Sequence, residues 1–126
     1  MPEPTFSTPA HPAGYSHAVS LPGGRLVWTS GQIAIDSAGR VPAGWSAQTR
    51  LVFENLGRAL AAVDAGWSDL VKLTMFVAAE PELDTIRAVR DEFVDTSRPP
   101  TSSLVRVAGL VRPDLLLEIE AVAWRP

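Results

Sequence analysis

The sequence predicts an α+β chain: a mixed β-sheet carrying two helices on one face. Three observations point there. Runs of β-branched, aromatic and alternating residues occur at 25–30, 70–78, 103–108 and 115–124. Two stretches between them instead place apolar residues three and four apart, the spacing of one helical face. The order of these segments, strands, helix, strand, helix, strands, suits one sheet layer packed on one helix layer. With 126 residues, 46% of them hydrophobic and 20% charged, the chain is expected to form a single domain, residues 1–126, with a real core.

Each element has its own signal. Residues 1–14 contain four prolines and mostly small side chains, and are expected to be an irregular arm. Residues 15–21 read as a short strand, Pro22-Gly23-Gly24 as a turn and residues 25–30 as a second strand, together an N-terminal hairpin. Gly31 interrupts, Gln32 to Ile35 resume an extended pattern, and Asp36-Ser37-Ala38-Gly39 turn the chain. Ser46 is placed to cap the first helix, whose apolar stripe is Val52, Leu56, Leu60 and Val63 and whose stop signal is Gly66. In the strand at 70–78, Leu73, Met75 and Val77 fall on one side, and Lys72, Thr74 and Phe76 on the other. Pro81 marks the start of the second helix, with the stripe Leu83, Ile86, Val89 and Phe93, and Pro99-Pro100 end that region. Residues 103–108 and 115–124 read as a final hairpin. Its second strand carries Leu116, Glu118, Glu120, Val122 and Trp124 on the face away from the helices, a mixture that implies burial against further copies of the chain.

Composition excludes several functions. The formal charge is −3, and the arginines are scattered from Arg25 to Arg125, so no basic surface exists to neutralise phosphates and no nucleic-acid partner is expected. Lys72 is the lone lysine and the single candidate for a Schiff base. There is no cysteine, hence no disulfide, thiolate metal site or cysteine nucleophile. No run approaches the roughly 18 apolar residues of a membrane span, and residues 1–14 lack the apolar core of a signal peptide; a cytoplasmic chain with no membrane partner is the expectation. The glycine-rich nucleotide cradles and the GxSxG elbow are absent. His11 and His17 are the only histidines and read as surface or turn residues, so no metal site is expected.

Four segments, taken together and in order, carry a family resemblance: Ser30-Gly31-Gln32; Gln48-Thr49 with Asn55-Leu56; Val71-Lys72-Leu73-Thr74-Met75-Phe76-Val77; and Pro99-Pro100 leading into Val105-Arg106-Val107-Ala108-Gly109-Leu110 and Leu117-Glu118-Ile119-Glu120-Ala121-Val122-Ala123. In this order and spacing the chain resembles the Rid family, also called YjgF or L-PSP, from about Tyr15 to Arg125. The resemblance implies a chorismate-mutase-like α+β fold. It further implies a homotrimer whose sheets form a central barrel, with small-molecule clefts between subunits. Well-known members hydrolyse imine and enamine intermediates to 2-keto acids and ammonia, without a cofactor.

Carried over residue by residue, the resemblance gives Glu118 as the glutamate that orients the attacking water. Tyr15, Ser30 and Gly31 line the cleft. An asparagine of the family's second helix is Arg87 here. The arginine that clamps the substrate carboxylate in a Pro-Ala-Arg-Ser segment is replaced, because the segment reads Pro100-Thr101-Ser102-Ser103; the frequent cysteine two residues on is Leu104. Serine cannot reproduce a bidentate guanidinium–carboxylate pair, and losing a charged hydrogen bond worth about 1.5–3 kcal/mol removes one to two decades of affinity. Hydrolysis of a C=N or enamine bond in a small metabolite is the first reading, with deamination of 2-imino acids weakened. A trimer that binds a metabolite without turnover is the second. An endoribonuclease is the third, disfavoured by charge. Several residues keep bland alternatives: Glu118 as an ion pair with Arg106 across the final hairpin, Arg87 as a solvated helix charge, Ser102 and Ser103 as backbone partners, Tyr15 as a packed aromatic; whether Arg87 or Arg90 turns into the cleft is left open by the sequence.

Overall fold

The computed structural model describes residues 3–7 and 14–126. Ten elements follow in order: β1 (Thr5–Ser7), β2 (Ala18–Ser20), β3 (Arg25–Trp28), β4 (Gln32–Ile33), α1 (Trp45–Ala61), a 3-10 turn (Trp67–Asp69), β5 (Leu70–Val77), α2 (Leu83–Asp91), β6 (Thr101–Arg106) and β7 (Leu117–Arg125). The main sheet is mixed and runs β3-β7-β5-β6, with β4 also on β7. Among these strands only β5 and β6 are parallel, joined by the α2 crossover. The α+β expectation with two helices and a mixed sheet therefore holds.

The helix face of the sheet is built by alternation. Leu73, Met75 and Val77 of β5 pair with Ala121, Ile119 and Leu117 of β7, and all six are buried. Against them lie Val52, Phe53, Leu56 and Leu60 of α1 and Ile86 and Val89 of α2. The small Ala121 and Ala123 let α1 approach β7 closely. The helices meet through Phe53 stacked on Phe93 at 5.3 Å, with Trp67 tilted against both. On the surface Arg50 donates two hydrogen bonds to Glu92, at 3.1 and 2.9 Å. Buried Gln48 is fully engaged: Nε2 donates to the carbonyls of Pro42 and Asp114, and Oε1 accepts from the Leu116 amide. It pins the loop before β7 to α1.

Several sequence expectations are corrected. The arm at 1–14 is not wholly irregular, because Thr5–Ser7 forms β1 and pairs antiparallel with β2. The run at 15–21 therefore pairs with the arm and not with β3; no N-terminal hairpin forms across Pro22-Gly23-Gly24. The residues between β1 and Gly14, among them His11, lie outside the described residues. Helix α1 starts at Trp45 with Gly44 at its cap, so Ser46 sits inside the first turn. It ends before Gly66. Asp64 takes the left-handed conformation (φ 59), Ala65 N–H donates to Leu60 O at 2.9 Å and Asp64 N–H to Ala61 O at 3.2 Å. That early turn swings Val63 out of the buried stripe, leaving it 45% exposed. Finally, β6 and β7 are not a hairpin, since β5 lies between them. A hairpin signal reads only the loop, whereas α2 commits β6 to the far side of β5.

Candidate active site

The register divides the candidate residues into two groups. Paired residues in neighbouring strands share a face. Ser102 and Leu104 of β6 pair with Leu73 and Met75, and so lie on the helix side at the open edge of the sheet. Glu118 of β7 pairs with Phe76 on the opposite face, two strands away. Strands are spaced about 4.8 Å apart, so roughly 10 Å and the sheet itself separate the two sets.

The first group gathers at the N-terminal end of β6. Ser16 holds the preceding segment in place: its amide donates to Pro100 O at 2.8 Å, its hydroxyl donates to Pro99 O, and it forms an isolated parallel bridge with Thr101. Tyr15 is thereby brought beside the strand that carries Ser102. Tyr15 is half-buried, its ring centroid 5.9 Å from that of exposed His17. Arg87 and Arg90 sit three residues apart on α2, and their fates differ. Arg87 is exposed, whereas Arg90 is buried and its guanidinium lies close against Gly14. Arg90 falls four residues after Ile86, on the buried side of the stripe, a signal present in the sequence but not decisive there. Ser103 parts from Ser102: it lies on the other face, where Lys72 Nζ donates to its hydroxyl at 2.8 Å.

The second group surrounds the Ser30-Gly31 bend. Between Trp28 and Gln32 the chain leaves and rejoins β7, and Thr29 bridges the gap by donating its amide to Ala121 O and accepting the Ala121 amide at its hydroxyl. Gly31 lies directly under the Glu118 carboxylate; a Cβ there would come within 2.7 Å of the carboxyl carbon. Ser30 is exposed, and its carbonyl accepts from Gln32 Nε2. Asn55 of α1 holds the bend from behind by donating to the carbonyls of Ile33 and Ile35 at 2.9 and 3.0 Å. A cleft of about 860 Å³ opens beside Gly31, bordered by Gln32, Asp36, Asn55 and Arg58.

The alternative pairing of Glu118 with Arg106 does not occur. Arg106 ends the edge strand and binds Glu80, while Glu118 has no ion-pair partner among the described residues. Arg40, Arg50, Arg112 and Arg125 are likewise engaged by Asp36, Glu92, Asp114 and Asp69, so the scattered arginines form separate surface pairs. Three carboxylates are held below their ordinary range: Asp36, chiefly by the Arg40 amide and also by that of Ala38; Asp95, chiefly by the Ser97 hydroxyl and also by the Ser97 amide; and Glu92, chiefly by the hydrogen bonds from the Arg50 guanidinium. Among the described residues no cluster of His, Asp and Glu could hold a metal ion, and no helix is long and apolar enough to cross a membrane.

The candidate residues thus stand as two separate groups on one α+β scaffold. The chain belongs to the family described as Endoribonuclease L-PSP, whose model matches residues 5–125. It is 35% identical over 124 residues to the 2-iminobutanoate/2-iminopropanoate deaminase of Escherichia coli, covering 96% of this chain and 94% of that one. Its fold is similar to a protein of the conserved Rid family from Yersinia pestis, with a TM-score of 0.82 and 30% identity over 97% of this chain and 98% of that one. It is also similar to Escherichia coli TdcF solved with bound serine, with a TM-score of 0.74 and 35% identity, covering 96% of this chain and 98% of that one.

Proposed function

We propose that the chain hydrolyses a small imine or enamine metabolite in clefts shared between copies, three copies forming the assembly. The observation that carries this reading is the Glu118 carboxylate, seated on Gly31 with no cation to neutralise it among the described residues. A carboxylate so placed accepts a proton from water as the water attacks C=N. Attack on the carbon, proton transfer to nitrogen and collapse of the carbinolamine release ammonia and leave a carbonyl. Tyr15 and Ser102 stand on the opposite sheet edge, out of reach of Glu118 within one chain. A neighbouring copy placing its β6 edge against the Ser30-Gly31 bend would complete the cleft. The deaminase name of one relative and the serine bound to another support a small, amino-acid-derived substrate.

Ser102 sets the selectivity of this site. Without a guanidinium there, the small 2-imino acids lose their clamp. Freshly generated 2-aminoacrylate should be hydrolysed with weak or no acceleration, and Ser102→Arg should raise the rate. Rapid wild-type turnover would refute this account of Ser102. Binding without turnover is the second reading, favoured by the same serine. A thermal-shift screen of metabolites, with each hit checked for consumption, separates the two. RNA cleavage is the reading least supported, because five of the arginines are paired with carboxylates on the surface and the net charge is −3.

A further inference from the structure

We infer that a second cavity, at the carboxyl ends of the parallel strands β5 and β6, is the specificity pocket of this site and takes an uncharged hydrocarbon group of the leucine or phenylalanine kind. The inference rests on the small-molecule site proposed above and names the class of imine that site would accept.

Three observations carry it. The cavity measures about 520 Å³ and is lined chiefly by Ala78, Ala79, Ala108, Leu110 and Leu116. That volume is in the range of small-molecule sites, which are likewise mostly apolar. Among the described residues Arg112 is the one charged member of the lining, and its charge is already taken. Its Nε and Nη2 donate to Asp114 Oδ1 and Oδ2 at 3.1 and 2.8 Å, and its Nη1 to Gly39 O at 3.4 Å. A charged ligand finds no free counter-charge in this lining, whereas a hydrocarbon gains by leaving water.

The second observation is continuity with Glu118. Ala78 N–H donates to Leu116 O at 2.8 Å, which carries the β5–β7 pairing one step past Val77 and Leu117. Leu116 stands two residues before Glu118, about 7 Å along an extended chain, and alternation gives the two the same face. An imine whose C=N lies over the carboxylate can therefore lay its substituent along β7 into the cavity. Third, Ala79 takes the left-handed conformation, φ 57, at the cavity wall. A backbone so placed is held there by its surroundings, and the single methyl group leaves the mouth open. The pocket also accords with Ser102, since a site without a guanidinium clamp draws its affinity from buried hydrocarbon. Water adds its oxygen to the imine carbon and both its hydrogens pass to nitrogen as the C–N bond breaks, so an uncharged imine yields an uncharged carbonyl compound and an amine.

The test titrates three uncharged ketones, butanone, methyl isobutyl ketone and benzylacetone, into the full chain and follows backbone amide NMR shifts. The shifts should gather at residues 78–79 and 108–116, and methyl isobutyl ketone should bind about tenfold more tightly than butanone. Ala108→Leu, at an exposed position, should remove that gain by filling the mouth, and Leu116→Ala should move the preference to benzylacetone. Equal affinity along the series, shifts gathered elsewhere, or a rise that neither variant alters would overturn the inference. The N-methyl imine of methyl isobutyl ketone should in turn be hydrolysed faster than that of butanone. Pocket binding with no acceleration of either imine would defeat hydrolysis in favour of binding without turnover and leave the pocket standing.

Discussion

Gly31 lies close against Glu118 and constrains its carboxylate. A methyl group at position 31 must displace the carboxylate, because its Cβ would fall 2.9 Å from Cγ and closer still to the carboxyl group. Gly31→Ala should therefore lower turnover about a hundredfold, the usual consequence of shifting a reacting group by an ångström. Its melting temperature should stay near that of wild type, since Glu118 can swing toward solvent. Steady-state rates and thermal melts on the same sample check this, and a large melting loss with normal turnover would contradict it. At this scale the sequence was informative about identity and silent about direction. Ser102 and Ser103 look equivalent as letters, yet strand pleating sends them to opposite faces. Arg87 and Arg90 look equivalent too, until the helical period puts Arg90 on the Ile86 side. Arg106 seemed a natural partner for Glu118, but that pairing required a strand order no local pattern specifies.

Elements were legible where their signal was periodic. The alternation of β5 and the stripe of α1 follow from side-chain period alone; β5 is seen as expected, and the stripe holds at Val52, Leu56 and Leu60 but not at Val63, which lies beyond the helix end. Ends were less legible. The turn after α1 uses Asp64 where glycine is usual, because a short polar side chain tolerates the left-handed conformation. The β1–β2 pair was hidden because the arm holds only a three-residue strand among prolines. The turn at Asp36 forms where its residues place it, and it carries a pH prediction. Its carboxylate accepts the Ala38 and Arg40 amides, each at 2.9 Å, and unfolding breaks both hydrogen bonds. The folded state thus holds the charged form more tightly than the unfolded chain does. The resulting stability is complete above the ordinary aspartate range, about pH 4, and is lost as pH falls through the lowered folded value. Asp36→Ala should melt earlier than wild type at pH 7 and converge with it near pH 2 in thermal melts across that range. A gap that stays constant with pH would show the turn to be indifferent to ionisation.

For the whole molecule, the face of the sheet away from the helices matters most. Trp28 is 66% exposed and Val105 45%, with Phe76 and Val122 half-buried between them and Glu118 and Glu120 set among them. Such a surface is costly to leave in water. Native mass measurement should give three times the 13.5 kDa of one chain. Trp28→Glu with Val105→Glu should return the mass to one chain and abolish turnover while far-ultraviolet dichroism is retained. A wild-type mass of one chain would defeat the shared-cleft proposal. That the candidate residues of one chain fall into two separate groups follows from strand order, which no local residue pattern specifies. The same order governs how the chain is made. β7 bonds to β3, β4 and β5, and it follows all three in the chain. Residues 25–77 thus leave the ribosome as strands without the neighbour that joins them. The main sheet cannot close before residues 117–125 emerge, so nascent chains stalled short of that point should remain open to protease and reliant on holdases.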